Sequence, residues 1–535
     1  QTLELVSPQL SIYADEDGLL SLPNFPLASD GNLFDLIVAR FEISRGSVLW
    51  DGLRYDLSLL ANDVDIRTRY ETEAGRYWAS IQTRVSARSS SVGALLPSLA
   101  QAQLYIYRDR IELADATITS GRSLLQTDGE ITTGIKPAAK LYYTAELPLN
   151  SPLVAAYMPG FSAGTAIIKG SLDWHGTQES LAYRGKIQVD NAKGVLESVH
   201  VERGSASSQY WGGSNEFNVA PIRITALGST FLGSLTVENL NTKQNFHLAG
   251  QVDGFTFGSK MENRNTSLDL FGGEDFTLPW AGSLDAGIEV AGTPDIFTAA
   301  VSVVLTEPEE PLPGKIPLKG LANLQYRSQT ETISVERMDL ATPAVQARLS
   351  GNLRPGATSE IFAQVEFKTE TDLKMLAPFT GVPIRDLPFQ VASGATFDGV
   401  LRGVWDLPVL EDWTLTGQVE APETQLFNAR FDRLTTQLKL SASMAHLRGI
   451  AIEGVGGRAL FTLDLPLWDG TIASGLPLSA DLTIEDFPAG HVVETMGRLL
   501  PIGGVIRGKL AVRGTADEPQ VSADFEIQDG RAWGL

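Results

Sequence analysis

From Gly504 to Gln528 apolar and polar positions alternate, with Ile506, Leu510 and Val512 on one side of an extended chain and Arg507, Lys509, Ala511 and Arg513 on the other. After turn-forming residues at Gly514 to Pro519, Val521, Ala523, Phe525 and Ile527 alternate with Ser522, Asp524, Glu526 and Gln528. A period of two predicts a half-buried strand, so this stretch reads as a hairpin whose apolar face needs a cover. The same construction precedes it three times. Gly164 to Gly176 leads to Leu181, Tyr183, Ile187 and Val189; Gly282 to Pro294 leads to Phe297, Ala299, Val301, Val303 and Leu305; Gly394 to Gly403 leads to Trp413, Leu415, Val419 and Ala421. The leading glycines, at 164, 282, 394 and 504, are 118, 112 and 110 residues apart, which predicts a repeat.

A second pattern recurs between the hairpins. Ile111 to Ile118 resembles Ile333 to Leu340, and each runs on to a strand ending near a glycine, Gly129 or Gly351. Near the start, Leu10 and Ile12 mark a strand, Asp15 to Gly18 an acidic turn, Phe41 to Gly52 a hairpin and Tyr55 to Ile66 a further strand. Glu307 to Gly314, acidic and proline-rich, reads as a surface loop that cannot join a ladder. Helical signals are few and short: Ser151 to Pro159, Thr371 to Phe379, Gly490 to Leu500 and, standing apart, Val92 to Ala102. The pattern predicts a mostly β fold built from repeats of about 110 residues with a few short helices, arranged either as tandem sandwiches or as one continuous, curled antiparallel sheet. Its expected divisions are an amino-terminal region at 1–140, repeats at 141–260, 261–370 and 371–488, and an incomplete repeat at 489–535.

Composition narrows the functions. A net charge of -22 repels phosphate backbones, so nucleic acid is not an expected partner. The chain has no cysteine, which removes disulfides, thiolate catalysis and cysteine metal sites. No run of 18 apolar residues and no signal-peptide pattern occurs. The chain begins at Gln1 and stops just after a strand, and we expect it to be a fragment of something longer.

Candidate chemistry is sparse. His175, His200, His247, His446 and His491 are scattered singly, without metal-binding spacing, and no metal or cofactor is expected. Gly454 to Ala459 faintly matches a dinucleotide fingerprint but lies among strands without a βαβ unit. Among 64 acidic residues nothing singles out a catalytic pair, and Trp174, Trp405 and Trp413 fall in step with core positions. The chain is not expected to be an enzyme.

One short helix per unit cannot cover so much apolar strand. A second sheet, as in tandem sandwiches of about 100 residues, closure of the sheet on itself, and a non-protein apolar ligand all remain open as covers. Burying a methylene is worth roughly 0.8 kcal/mol, so a fatty acyl chain in a continuous trough would gain on the order of ten kcal/mol.

The hairpin form G-x-(apolar)-x-G-x-(apolar)-x-(apolar)-x-G-T-x-x-x-P of Gly504 to Pro519, its helical prelude, and the pattern SPQLSIYADEDG followed by FEISRGSVLWDG together resemble the AsmA-like and TamB-like proteins of Gram-negative envelopes, within the repeating β-groove, bridge-like lipid transfer group. The resemblance spans most of the chain, with Gly394 to Gly403 out of phase. It implies an elongated, curled antiparallel sheet, a taco-like groove or open β-cylinder with an apolar interior, in the periplasm and anchored to the inner membrane by a segment outside this chain, that carries phospholipids between inner and outer membranes. On that reading Leu172, Trp174, Tyr183, Ile187, Val189, Leu284, Ile288, Val290, Val301, Val303, Ile506, Leu510, Val512, Phe525 and Ile527 line the groove and solvate acyl chains. Some family members are linked to insertion of outer-membrane β-barrel proteins with a barrel partner, so an assembly-factor or chaperone role through exposed strand edges is the second expectation. A tandem-sandwich adhesin is the third.

Overall fold

The computed structural model describes residues 2–14, 20–21, 38–52, 57–89, 93–94, 98–133, 137–155, 158–177, 180–196, 199–257, 280–313, 315–368, 371–372, 390–391, 394–406, 409–426, 429–454, 456–468, 471–473, 475–490 and 502–532. Almost all of these residues lie in β-strands. The chain folds as two compact units, one comprising Gln1–Val252 with Ala291–Pro294, the other Asp253–Val290 with Asp295–Leu535.

In the first unit the strands Arg40–Gly52, Leu57–Glu71, Arg76–Ser89, Ser98–Ile106, Arg110–Ser120 and Ser123–Thr132 each pair antiparallel with the next. The ladder continues through Ala138–Pro148, Phe161–Trp174, Ala182–Leu196, Val199–Gly213, Glu216–Ala226 and Ser229–Glu238. In the second unit the same meander runs from Phe297–Thr306 and Lys319–Arg327 through Thr332–Ala341, Val345–Leu353 and Thr358–Phe367 to Thr396–Asp406. It goes on through Val409–Leu426, Ala429–Ser441, Met444–Gly454, Gly457–Trp468 and Pro477–Pro488 to Ile502–Thr515 and Pro519–Ala532. Short connections force neighbours in sequence to be neighbours in the ladder, and strands so joined must alternate in direction. Parallel pairing occurs where Thr2–Val6 and Gln9–Ala14 lie along Arg40–Gly52, and where Trp280 and Ala281 meet Ile316 and Pro317.

The hairpins at 164, 394 and 504 form, with apolar positions meeting across them: Leu172 faces Tyr183, Leu401 faces Leu415, and Leu510 faces Ala523. At 282 both expected strands are present, and a Cβ on Gly282 would lie 2.8 Å from the Thr306 carbonyl oxygen. The two patterns at 111 and 333 also share a local geometry. Gly129 and Gly351 both have positive φ, 147° and 149°, and at each a Cβ would come within 2.1 Å of a carbonyl oxygen on the next strand. No side chain fits there. The acidic loop after Thr306 carries no strand, and Lys319 pairs with Glu307 at 2.8 Å.

Several expectations are corrected. Phe41 to Gly52 is not a hairpin but one strand, Arg40–Gly52, bulged at Gly46, where Arg45 takes φ of 55°. A bulge absorbs an extra residue without reversing the chain. The helix expected at Val92 to Ala102 is strand where described, at Gly93–Ala94 and Ser98–Ile106. Alanine, leucine and glutamine favour helix, but Ser98–Ile106 is flanked by partners on both edges, and two ladders outweigh a weak local preference. Of the helix expected at Ser151 to Pro159, one turn forms, Pro152–Ala155. Thr371 and Asp372 pair as a short strand with Gln390 and Val391, and the rest of that expected helix lies outside the described residues. So do the turn at Asp15 to Gly18 and all but Gly490 of the helix expected at Gly490 to Leu500.

Candidate functional site: an apolar face in each unit

Because paired residues in a ladder point to the same side, register alone sorts the side chains into two faces. In the first unit one cross-strand row reads Tyr77, Ile106, Ile111, Ile131, Ala139 and Trp174. Two residues along, a second row reads Ala79, Leu104, Leu113, Gly129, Leu141, Leu172, Tyr183, Gly212, Phe217 and Val237. The row between them, on the opposite side, holds Trp78, Tyr105, Glu112, Glu130, Lys140 and Asp173. One side of this unit is therefore apolar from strand to strand, and the other is mixed, with charged residues and scattered aromatics.

The second unit repeats the division. A row of Val301, Leu324, Val335, Gly351, Ile361, Leu401, Leu415, Leu440, Ala445 and Leu465 crosses consecutive strands on one face. Phe461, Leu482, Leu510 and Ala523 form another. The opposite face carries cross-strand ion pairs, Arg513 with Asp481 at 2.7 Å and Arg348 with Asp339 at 2.9 Å. Exposed pairs of this kind contribute at most about 1 kcal/mol each, so they keep the outer face wet rather than hold the sheet together.

The apolar face is thinly covered. Among the described residues Pro466 is the only large side chain less than 2% exposed, and about half of the buried apolar residues are alanines; the larger ones, such as Leu440, Leu463, Leu465 and Leu467, gather mainly in the second unit. Leu172, Trp174, Tyr183, Ile187 and Val189 sit half-buried on the apolar face of the first unit. Leu284, Ile288 and Val290 lie half-buried at even spacing on Trp280–Gly292, and Val301 and Val303 are half-buried opposite Leu324 and Ala322. Ile506 is buried with Ile484 and Phe487; Leu510 and Val512 are half-buried; Phe525 and Ile527, on the strand beyond, are exposed. The helical turn Pro152–Ala155 lays Val154 against Leu149, Ala166 and Ala192, covering one end of the first unit's face and no more.

A feature the sequence did not single out lies on that same face. Tyr143, Gly170, Gly185 and Tyr210 fall in one cross-strand row on four successive strands. With no side chains on the two intervening strands, the tyrosines reach over both glycines until their hydroxyls are 2.6 Å apart. Next to them Tyr183 lies across Gly212 and donates to the Glu216 carbonyl at 2.9 Å, with the Phe217 ring 6.2 Å from its own. Burial first, then the hydrogen bond with Tyr143, pushes the Tyr210 hydroxyl well above the usual phenol range; burial also raises Tyr183. Both stay protonated donors at physiological pH. Tyr210 escaped notice because it stands in a polar run, Ser205 to Gln209, and its partner is 67 residues away.

Elsewhere His446 Nδ1 lies 2.6 Å from Asp464, whose other oxygen accepts from the Ser479 hydroxyl at 3.1 Å. The carboxylate stands between hydroxyl and imidazole, so the serine proton goes to Asp464 rather than to a base that could activate a nucleophile. The glycines at 454 and 457 close a hairpin turn between antiparallel strands. Among the described residues no group of three His, Asp or Glu side chains could hold a metal ion, and no helix is long and apolar enough to cross a membrane. No family model matches the chain, and no curated protein sequence matches it.

Proposed function

We propose that the apolar faces bind the acyl chains of lipids, and that the protein is a non-enzymatic periplasmic bridge along which phospholipids pass between the inner and outer membranes. The reading rests on one observation: each unit presents an apolar face across consecutive strands on which most large side chains stay partly exposed, the buried ones gathering in small clusters such as Leu440, Leu463, Leu465 and Leu467. A sandwich of two packed sheets would bury the large residues of its inner faces. A face that is apolar, continuous and half-exposed is matched by a ligand made of methylenes, each worth about 0.8 kcal/mol on burial. The more polar opposite face suits the aqueous side of such a groove.

The test is native mass spectrometry of the purified chain for co-purified lipid, followed by transfer of phospholipid between donor and acceptor vesicles. Ile288→Asp together with Leu510→Arg is expected to abolish transfer while far-ultraviolet circular dichroism stays that of the wild type. Normal transfer by the folded double variant refutes the reading. Photo-crosslinkers at Ile187 and Leu510 are expected to capture lipid; capture of polypeptide alone would favour an assembly factor acting on another protein's strands.

A further inference from the structure

The facing hydroxyls of Tyr143 and Tyr210 hold two protons but share one hydrogen bond, and among the described residues neither hydroxyl has a further partner. One O–H donor is thus left over in apolar surroundings, beside Ile168 and Ile187 on one side and Leu141 and Leu172 on the other. Once a bound acyl chain covers the face and excludes water, a donor so placed costs free energy unless the ligand brings an acceptor, and a pure hydrocarbon brings none. We propose that the Tyr143/Tyr210 pair is a docking point for the carbonyl oxygen at the head of an acyl chain, an ester or a fatty-acid carboxylate. The inference rests on the acyl-binding reading and adds to it a preferred position for the bound lipid. The tyrosines lie over glycines of the two strands between them, so the pair is set into the floor of the face rather than on its rim, and Tyr210 is only 7% exposed. Protonation of Tyr210 is secured by its burial.

The proton count makes the test sharp. In Tyr143→Phe the Tyr210 hydroxyl loses its partner but keeps its proton, and the converse holds for Tyr210→Phe; each single variant still has one donor to offer. Only the double variant has none. The purified chain is titrated with methyl oleate, oleate and 8-heptadecene, following the ester or carboxylate band of carbonyl-¹³C-labelled ligand by infrared spectroscopy. Wild type and both single variants are expected to bind one or both oxygenated ligands roughly three- to ten-fold tighter than the hydrocarbon. Their carbonyl band is expected to shift to lower frequency on binding. The double variant is expected to lose both preference and shift while its hydrocarbon affinity stays within about two-fold of wild type. Preference for methyl oleate alone identifies an ester as the ligand, and preference for oleate alone a carboxylate. Wild type that binds all three ligands equally, or a double variant that keeps the preference, overturns the docking point and leaves the acyl-binding face standing. Failure of wild type to bind even 8-heptadecene overturns both.

Discussion

An arginine placed at Ile187 tests the two-face argument with its own control one residue away. Ile187 is half-buried on the apolar face between Ile168 and Ser208, whereas Gln188 points to the opposite side and is exposed. Half the burial of an isoleucine is worth roughly 1 kcal/mol, and the arginine stem can lie along the surface with its charge in water, so Ile187→Arg should cost about that much in folding. In a unit of this size that lowers the melting temperature by about 2–4 °C. The cost to a bound acyl chain is larger. A guanidinium and its hydration displace about four to six methylenes, worth roughly 3–5 kcal/mol, which is a loss of about 10²- to 10⁴-fold in affinity. Gln188→Arg adds the same charge and should change neither quantity. Titration with a fluorescent C18 fatty acid, beside a thermal melt, reads both. Unchanged binding by folded Ile187→Arg, or an equal loss in Gln188→Arg, refutes the assignment of faces.

Two further outcomes follow from the ladder and its charges. Gly351→Ala should destabilise the chain by about 2–4 kcal/mol, because φ is 149° and the new carbon would sit 2.1 Å from the Glu360 carbonyl oxygen. Gly356→Ala, with φ of 66° and open space around the new carbon, should cost only about 1 kcal/mol, and equal urea midpoints for the two would refute the steric argument. The Asp339 carboxylate accepts from Arg337 at 2.6 Å and Arg348 at 2.9 Å; these hydrogen bonds hold its pKa below the ordinary 3.8. A lowered folded value means the stabilisation is complete above pH 3.8 and fades as pH falls through the folded value. Urea midpoints of wild type and Asp339→Asn should therefore differ slightly at pH 7 and converge as the pH is lowered below 3.8 and through the folded value. A gap that widens in acid would contradict the assignment.

Much of the fold was legible because a strand in a two-faced sheet writes its orientation into every second residue. The alternation at Tyr183, Ile187 and Val189 against Arg184, Lys186 and Gln188 predicts strand and facing together, and the hairpins at 164, 394 and 504 form with apolar positions meeting across them. Local preference misled where pairing partners were out of view. Ser98–Ile106 has a helical composition yet lies between two strands, and Gly46 carries a bulge where a turn was expected.

The period-two pattern by itself determined that this chain is β and that its strands have one apolar face, since that follows from side chains pointing alternately up and down. Only the tertiary structure decided which residues from distant strands stand side by side. Tyr143 and Tyr210 meet because two glycines in the same cross-strand row leave the space over the intervening strands empty, and a register set by hydrogen bonds far along the chain put all four in line.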